Sequence, residues 1–230
     1  MGAAQPAKRG GRGVVTRLAT GAYVRVSNPG RGRAVVCVNG GTGREVPGTW
    51  SATLEWLVRQ LAPDFPGLSF LEVRYRIKSW KRLTWCIDDC RAALSLAAGG
   101  GAEELALLGF SMGGAVAIAA ADHPRVTTVV GLAPWIPDRL DVSTLDERRL
   151  AIVHGSLDRW LPGIPGVSLK SSLRGFERIR LREIDATHTI VSGGMHGLAV
   201  RSRRGGTIPL PRARHWAKLV ADELRRFESG

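Results

Sequence analysis

Six short apolar runs, most of them separated by stretches of helical periodicity, constrain this chain more than any other feature. They fall at residues 34–38, 68–75, 104–108, 126–132, 150–154 and 179–184. Residues 50–61, 83–98 and 169–177 carry apolar positions at helical spacing, as does 212–227 near the C-terminus. A small-residue stretch to residue 121 follows the third run and also reads as a helix. Neighbouring parallel strands must be joined by a crossover of a dozen or more residues, usually a helix. The alternation therefore predicts βαβ units, with a mostly parallel sheet and helices on both faces. Two further runs, 14–19 and 22–27, flank Thr20-Gly21 and predict an antiparallel hairpin. Together these make about eight strands in an α/β fold.

The rest of the composition narrows the class. A length of 230 residues suits one α/β domain, assigned to residues 14–230. Residues 1–13 are rich in Ala, Gly, Lys and Arg and lack an apolar core. They read as a disordered leader, not a secretory signal. No apolar run is long enough to span a bilayer, so the cytoplasm is the default location. The formal net charge is +13, but the basic residues are mostly Arg and scattered along the chain. Outside the leader they cluster only at Arg201, Arg203 and Arg204, so nucleic acid is not the expected partner. Three cysteines, Cys37, Cys86 and Cys90, make no disulfide framework. Cys86 and Cys90 share a helix face and read as free thiols. No His or Cys set has zinc spacing, and no cofactor is expected.

The chemistry concentrates at Gly109-Phe110-Ser111-Met112-Gly113-Gly114. This segment directly follows an apolar strand and directly opens a helix. A serine on such a turn stands above the C-terminal edge of the sheet. Flanking glycines let neighbouring backbone approach, and the helix N-terminus supplies amide donors and partial positive charge. A second glycine-rich loop, Asn39-Gly40-Gly41-Thr42-Gly43, follows the 34–38 strand. It is only a fragment of a dinucleotide fingerprint, because Val46 occupies the third glycine position, and no lysine makes it a phosphate loop. A third motif, His154-Gly155-Ser156-Leu157-Asp158 with Pro162 after it, closes the 150–154 strand. On these three motifs, which follow one another along the chain as 39–43, 109–114 and 154–158, the chain resembles the α/β-hydrolase superfamily, near its small lidless esterases and dienelactone-hydrolase-like members. The resemblance runs from about residue 14 to the C-terminus.

The resemblance implies an α/β-hydrolase fold and a catalytic order of serine, acid and histidine. Ser111 takes the nucleophile's place and Asp158 the acid's, with Asp138 and Asp141 as rival acids. His154 reads as a structural strand-end residue. For the base, His188 follows the 179–184 run after Asp185-Ala186-Thr187. Its rival is His196 in Gly193-Gly194-Met195-His196-Gly197. Choosing His196 would require 189–191 as the last strand and leave 179–184 unexplained, so His188 is the expected base. The amides of Gly41 and Met112 are the expected oxyanion donors. Three departures stand out. Ala186-Thr187 lie where most members have glycine, Asn39 replaces the usual histidine, and an extra segment runs to about residue 211 with a hairpin near 203–206. Residues 133–149 are too few for a cap domain, which implies an open site. Trp135, with Thr42 or Trp160, is expected at its rim, and Arg44 and Arg74 are candidate carboxylate contacts. The implied activity is hydrolysis of a short or medium acyl ester, a small-molecule substrate, through an acyl-enzyme. Alternatives are thioester hydrolysis or acyl transfer on the same residues, or a non-catalytic binding protein. The oligomeric state stays open.

Overall fold

Alternating side chains along one central strand explain why the sheet is covered on both sides. In β3 (Arg33–Val38), Ala34, Val36 and Val38 enter one apolar cluster, while Val35 and Cys37 enter the other. A strand buried on both faces in this way belongs in the middle of a parallel sheet. The computed structural model describes residues 13–159 and 166–230. The expected leader, apart from Gly13, lies outside the described residues, as do Trp160 and Pro162.

The chain opens with β1 (Val14–Arg17) and β2 (Tyr23–Ser27), the antiparallel hairpin, and continues through β3 to β4 (Val46–Pro47), α1 (Ala52–Leu61) and β5 (Leu68–Arg74). Next come β6 (Ile77–Lys78), which pairs with β4, then α2 (Leu83–Gly99), β7 (Glu104–Phe110), α3 (Met112–Ala119) and β8 (Val126–Leu132). The last part holds β9 (Arg149–Gly155), α4 (Leu169–Arg180), β10 (Ala186–Val191), β11 (Ala199–Arg201), β12 (Thr207–Pro209) and α5 (Ala213–Ser229). Eight strands form the main sheet in the order β1-β2-β5-β3-β7-β8-β9-β10. From β5 onward every pairing is parallel, so six strands end at one edge.

Helices α2 and α3 cover one face with α4, and α1 and α5 cover the other. In α1, Leu54, Leu57, Val58 and Leu61 recur at helical spacing and are buried, and the Ser51 hydroxyl caps the Leu54 amide. Cys86 and Cys90 do lie on the buried face of α2 as free thiols. Burial pushes Cys86 up to about 11 and Cys90 higher still, so both stay protonated and inert. Only residues 133–148 lie between β8 and β9, and among the described residues there is no cap domain. Among them, too, no helix is long and apolar enough to cross a membrane.

One expected strand is corrected. Residues 179–184 are the end of α4 and the turn after it, and the last strand of the sheet is β10. Ser172, Gly175 and Ile179 face inward at helical spacing, whereas Leu181 is 83% exposed. Glu183, at φ 59°, then turns the chain into β10. The hairpin after the last strand is β11–β12. It is moored to α1, because the Thr53 hydroxyl accepts from the Leu198 amide (3.2 Å) and donates to the Ala199 carbonyl (3.3 Å). Arg201 adds an ion pair to Glu55 at 3.1 Å. The chain leaving residue 196 is thereby held in place.

Candidate active site

Ser111 stands between β7 and α3 with φ 55° and ψ −119°, a strained conformation for a residue with a side chain. The neighbourhood over-determines it. The Ser111 amide donates to the Leu132 carbonyl, and the Ser111 carbonyl accepts from the amides of Gly114 and Trp135, all at 2.9 Å. A β-carbon on Gly109 would lie 2.3 Å from the Gly113 carbonyl oxygen, and one on Gly113 would lie 2.2 Å from that of Val38. The glycines of the motif are therefore steric requirements of the turn.

The loops after β9 and β10 meet at the same edge. The Leu157 amide donates to the Gly194 carbonyl at 2.9 Å, and the Gly193 amide to the Ser156 hydroxyl at 2.9 Å. Such closeness needs Gly155, whose β-carbon would come within 2.3 Å of the Gly194 carbonyl oxygen. Between these loops His196 bridges the site. Its Nε2 lies 3.0 Å from Ser111 Oγ and its Nδ1 lies 2.8 Å from Asp158 Oδ2. The Phe110 ring packs against the imidazole with centroids 5.1 Å apart.

Asp158 is buried and held from three sides. Besides His196, the Val167 amide donates to Oδ1 at 3.1 Å, and His154 Nε2 lies 3.1 Å from Oδ2 and 2.9 Å from the Val167 carbonyl. Burial pushes the carboxyl up. The hydrogen bonds from His154 and His196 outweigh that, and its pKa lies below the ordinary carboxylate value. His154, fully buried on β9, thus meets the same carboxylate oxygen as His196 and helps to hold it. The sequence had suggested only a structural strand end.

His188 is where the sequence reading needs correcting. It lies inside β10, opposite Ile152 of β9, and not in the loop beyond the strand. Its Nε2 meets the buried Ser172 hydroxyl of α4 at 3.1 Å, and its ring stacks on His154 with centroids 6.2 Å apart. It points to a helix on one face of the sheet, while Ser111 stands at the strand ends. Burial, and then the neighbouring His154, push His188 down to about 4. An unfolded histidine takes up its proton near 6.5, whereas this folded one resists until about 4. The unfolded state therefore binds more protons across that window, and folding stability falls as pH drops through it. Urea midpoints at pH 7 and pH 5 should show this loss in the parent protein and a smaller one in His188→Gln.

The other expected residues divide cleanly. Asp138 pairs with Arg174 at 3.2 Å on the surface, and Asp141 accepts from the Ser143 amide at 2.9 Å, both outside the site. The Gly40 amide is occupied by Asn39 Oδ1 at 2.7 Å. Among the described residues, the amides of Gly41 and Met112 reach no protein acceptor. Gly41 packs on Met112, since a β-carbon there would lie 2.2 Å from its Sδ. A cavity of about 470 Å³ opens onto Ser111 and His196, lined also by Gly40, Gly41, Trp80, Trp135 and Lys78. Among the described residues Trp135 lines the cavity as expected, Trp80 lines it too, and Thr42 does not. Arg44 and Arg74 do not line the cavity; the Arg74 guanidinium lies 4.2 Å from the centre of the Tyr23 ring. Lys78 and Trp80 were missed. Both follow β5, and nothing in their local spacing distinguishes them from surface residues.

The alpha/beta hydrolase family pattern matches residues 35–226. No curated protein matches the chain. Among solved structures, an alpha-beta serine hydrolase homologue from Coxiella burnetii is similar, with a TM-score of 0.67 at 16% identity, covering 96% of this chain and 100% of the other. A serine hydrolase without a lid from Xanthomonas campestris has a TM-score of 0.67 at 14% identity, covering 97% and 98%. A butyrate-bound thermophilic esterase from the Planctomycetes species Thermogutta terrifontis has a TM-score of 0.65 at 16% identity, covering 92% of each chain. With the family pattern spanning most of its length, the chain belongs to the alpha/beta hydrolase family.

Proposed function

We propose that this protein hydrolyses carboxylic esters with short or medium acyl groups through a serine acyl-enzyme. The observation that carries the reading is the His196 ring, within hydrogen-bond reach of Ser111 and Asp158 at once. Ser111 Oγ attacks the ester carbonyl as His196 Nε2 removes its proton. Asp158 holds the ring through Nδ1 and stabilises the imidazolium. The amides of Gly41 and Met112 receive the oxyanion, each donor worth about 3 kcal/mol of barrier. Collapse breaks the bond to the alkoxy oxygen, which leaves as an alcohol with the proton from His196. Water, deprotonated by His196, then attacks the acyl carbon, and Ser111 leaves with that proton returned to Oγ. His196, not His188, is the proposed base.

A cavity of modest volume, uncapped among the described residues, supports small acyl groups, in keeping with the butyrate-bound esterase among the similar structures. The test is steady-state hydrolysis of 4-nitrophenyl acetate and butyrate beside the corresponding acyl thioesters. Ester turnover that vanishes in Ser111→Ala, with kcat/KM at least about tenfold above the thioesters, is the expected result. Parity with Ser111→Ala on every ester would refute the proposal, and a thioester preference would move it to thioester hydrolysis.

A further inference from the structure

Among the described residues, one formally charged side chain lines the cavity beside Ser111, and it is cationic. Lys78 ends β6, held in place by pairing with Val46 of β4. Its ammonium donates to the Thr49 hydroxyl at 3.0 Å, leaving two of its three protons for another acceptor. Among the described residues no carboxylate lies within ion-pair distance of it, and no acidic residue lines the cavity. The nearby Arg82 is paired with Glu45 at 3.0 Å, and Arg76 with Asp88 and Asp89. Partial burial of Lys78 disfavours its charged form, so an anion arriving there would restore what desolvation removes.

Two tryptophans line the same cavity as Lys78 and Ser111. Trp80 follows Lys78 by two residues, and its backbone amide is fastened to the Thr42 carbonyl at 3.0 Å. Its ring stands 6.4 Å from that of Trp135 at an angle of 35°, so the pair makes one wall of the cavity. An apolar wall with a few placed polar groups both binds and orients a ligand. Resting on the esterase reading above, we propose that the substrate is an ester bearing a carboxylate. Lys78 reads that carboxylate, and a planar apolar portion between it and the scissile bond lies against Trp80 and Trp135. A lysine at this place acts as a point charge on a flexible stem, so it selects for charge more than for geometry.

The test pairs 3-acetoxybenzoate with its neutral isostere 3-acetoxybenzamide. The expected kcat/KM favours the anion by at least about tenfold, from a hydrogen bond to a charged group. Lys78→Met should bring the ratio to about one, and Lys78→Arg should keep most of it. Raising salt should shrink the ratio in the parent protein. A binding arm makes the result independent of turnover. In Ser111→Ala, tryptophan fluorescence titrations with 3-hydroxybenzoate and 3-hydroxybenzamide should show the same preference, lost when Lys78→Met is added. Equal affinity for the two ligands, or a preference that survives Lys78→Met, overturns the charge assignment. Binding preference without any Ser111-dependent turnover would instead overturn the esterase reading and leave the anion site standing.

Discussion

Replacing His196 with alanine should lower kcat on a generic aryl ester by about five to six powers of ten, a loss typical of removing the nucleophile or base from a serine triad. The imidazole is the only group within hydrogen-bond reach of both Ser111 Oγ and Asp158 among the described residues. Without it the serine hydroxyl stays protonated at neutral pH and the leaving alcohol receives no proton. His188→Gln is the informative comparison. Glutamine retains an amide that can meet the Ser172 hydroxyl, so the variant should fold and keep activity within about tenfold of the parent. Steady-state kinetics with a thermal melt for each variant separate lost chemistry from lost fold. The reverse order of effects would return the base to His188.

Asp158→Asn should reduce kcat by about four powers of ten while leaving the fold intact. Asparagine fills the same volume but offers an amide where a carboxylate accepted three donors. Its NH₂ group, turned towards His196, would impose the tautomer whose Nε2 carries a proton and cannot accept from Ser111. Turned the other way, the NH₂ would face the Val167 amide in a site closed to water, at the cost of an unmet donor. The first orientation disables the base, and the second is disfavoured by its unmet donor. A fall of less than about tenfold would mean that the carboxylate plays no part in orienting the ring.

How far the sequence could be read follows from which interactions are local. Ser111 and its glycines announce themselves because a strand, a sharp turn and a helix follow within a few residues, and each glycine answers a nearby backbone clash. The hairpin at the start and five of the six parallel strands were legible for the same reason. Residues 179–184 misled because Ile179 and Leu181 alternate with Arg180 and Arg182 as a half-buried strand would. Tertiary burial decides otherwise, with Ile179 inside and Leu181 in solvent. The competing signal was present in Thr187, Thr189, Ile190 and Val191, β-branched residues followed by Gly193-Gly194. Reading those as the strand puts His196, not His188, in the loop beyond it. The partnership of His154 with Asp158, and the place of Lys78 and Trp80 at the cavity, depend on long-range packing that no local pattern records.

The central claim is that Ser111 is a nucleophile driven by His196. Its most direct test is mass spectrometry of the intact protein after treatment with a small fluorophosphonate, with the adduct mapped by peptide sequencing. A single stoichiometric adduct on Ser111 is predicted, absent in Ser111→Ala and slowed by orders of magnitude in His196→Ala. An adduct on another residue, or modification of Ser111 at an unchanged rate without His196, would contradict the account.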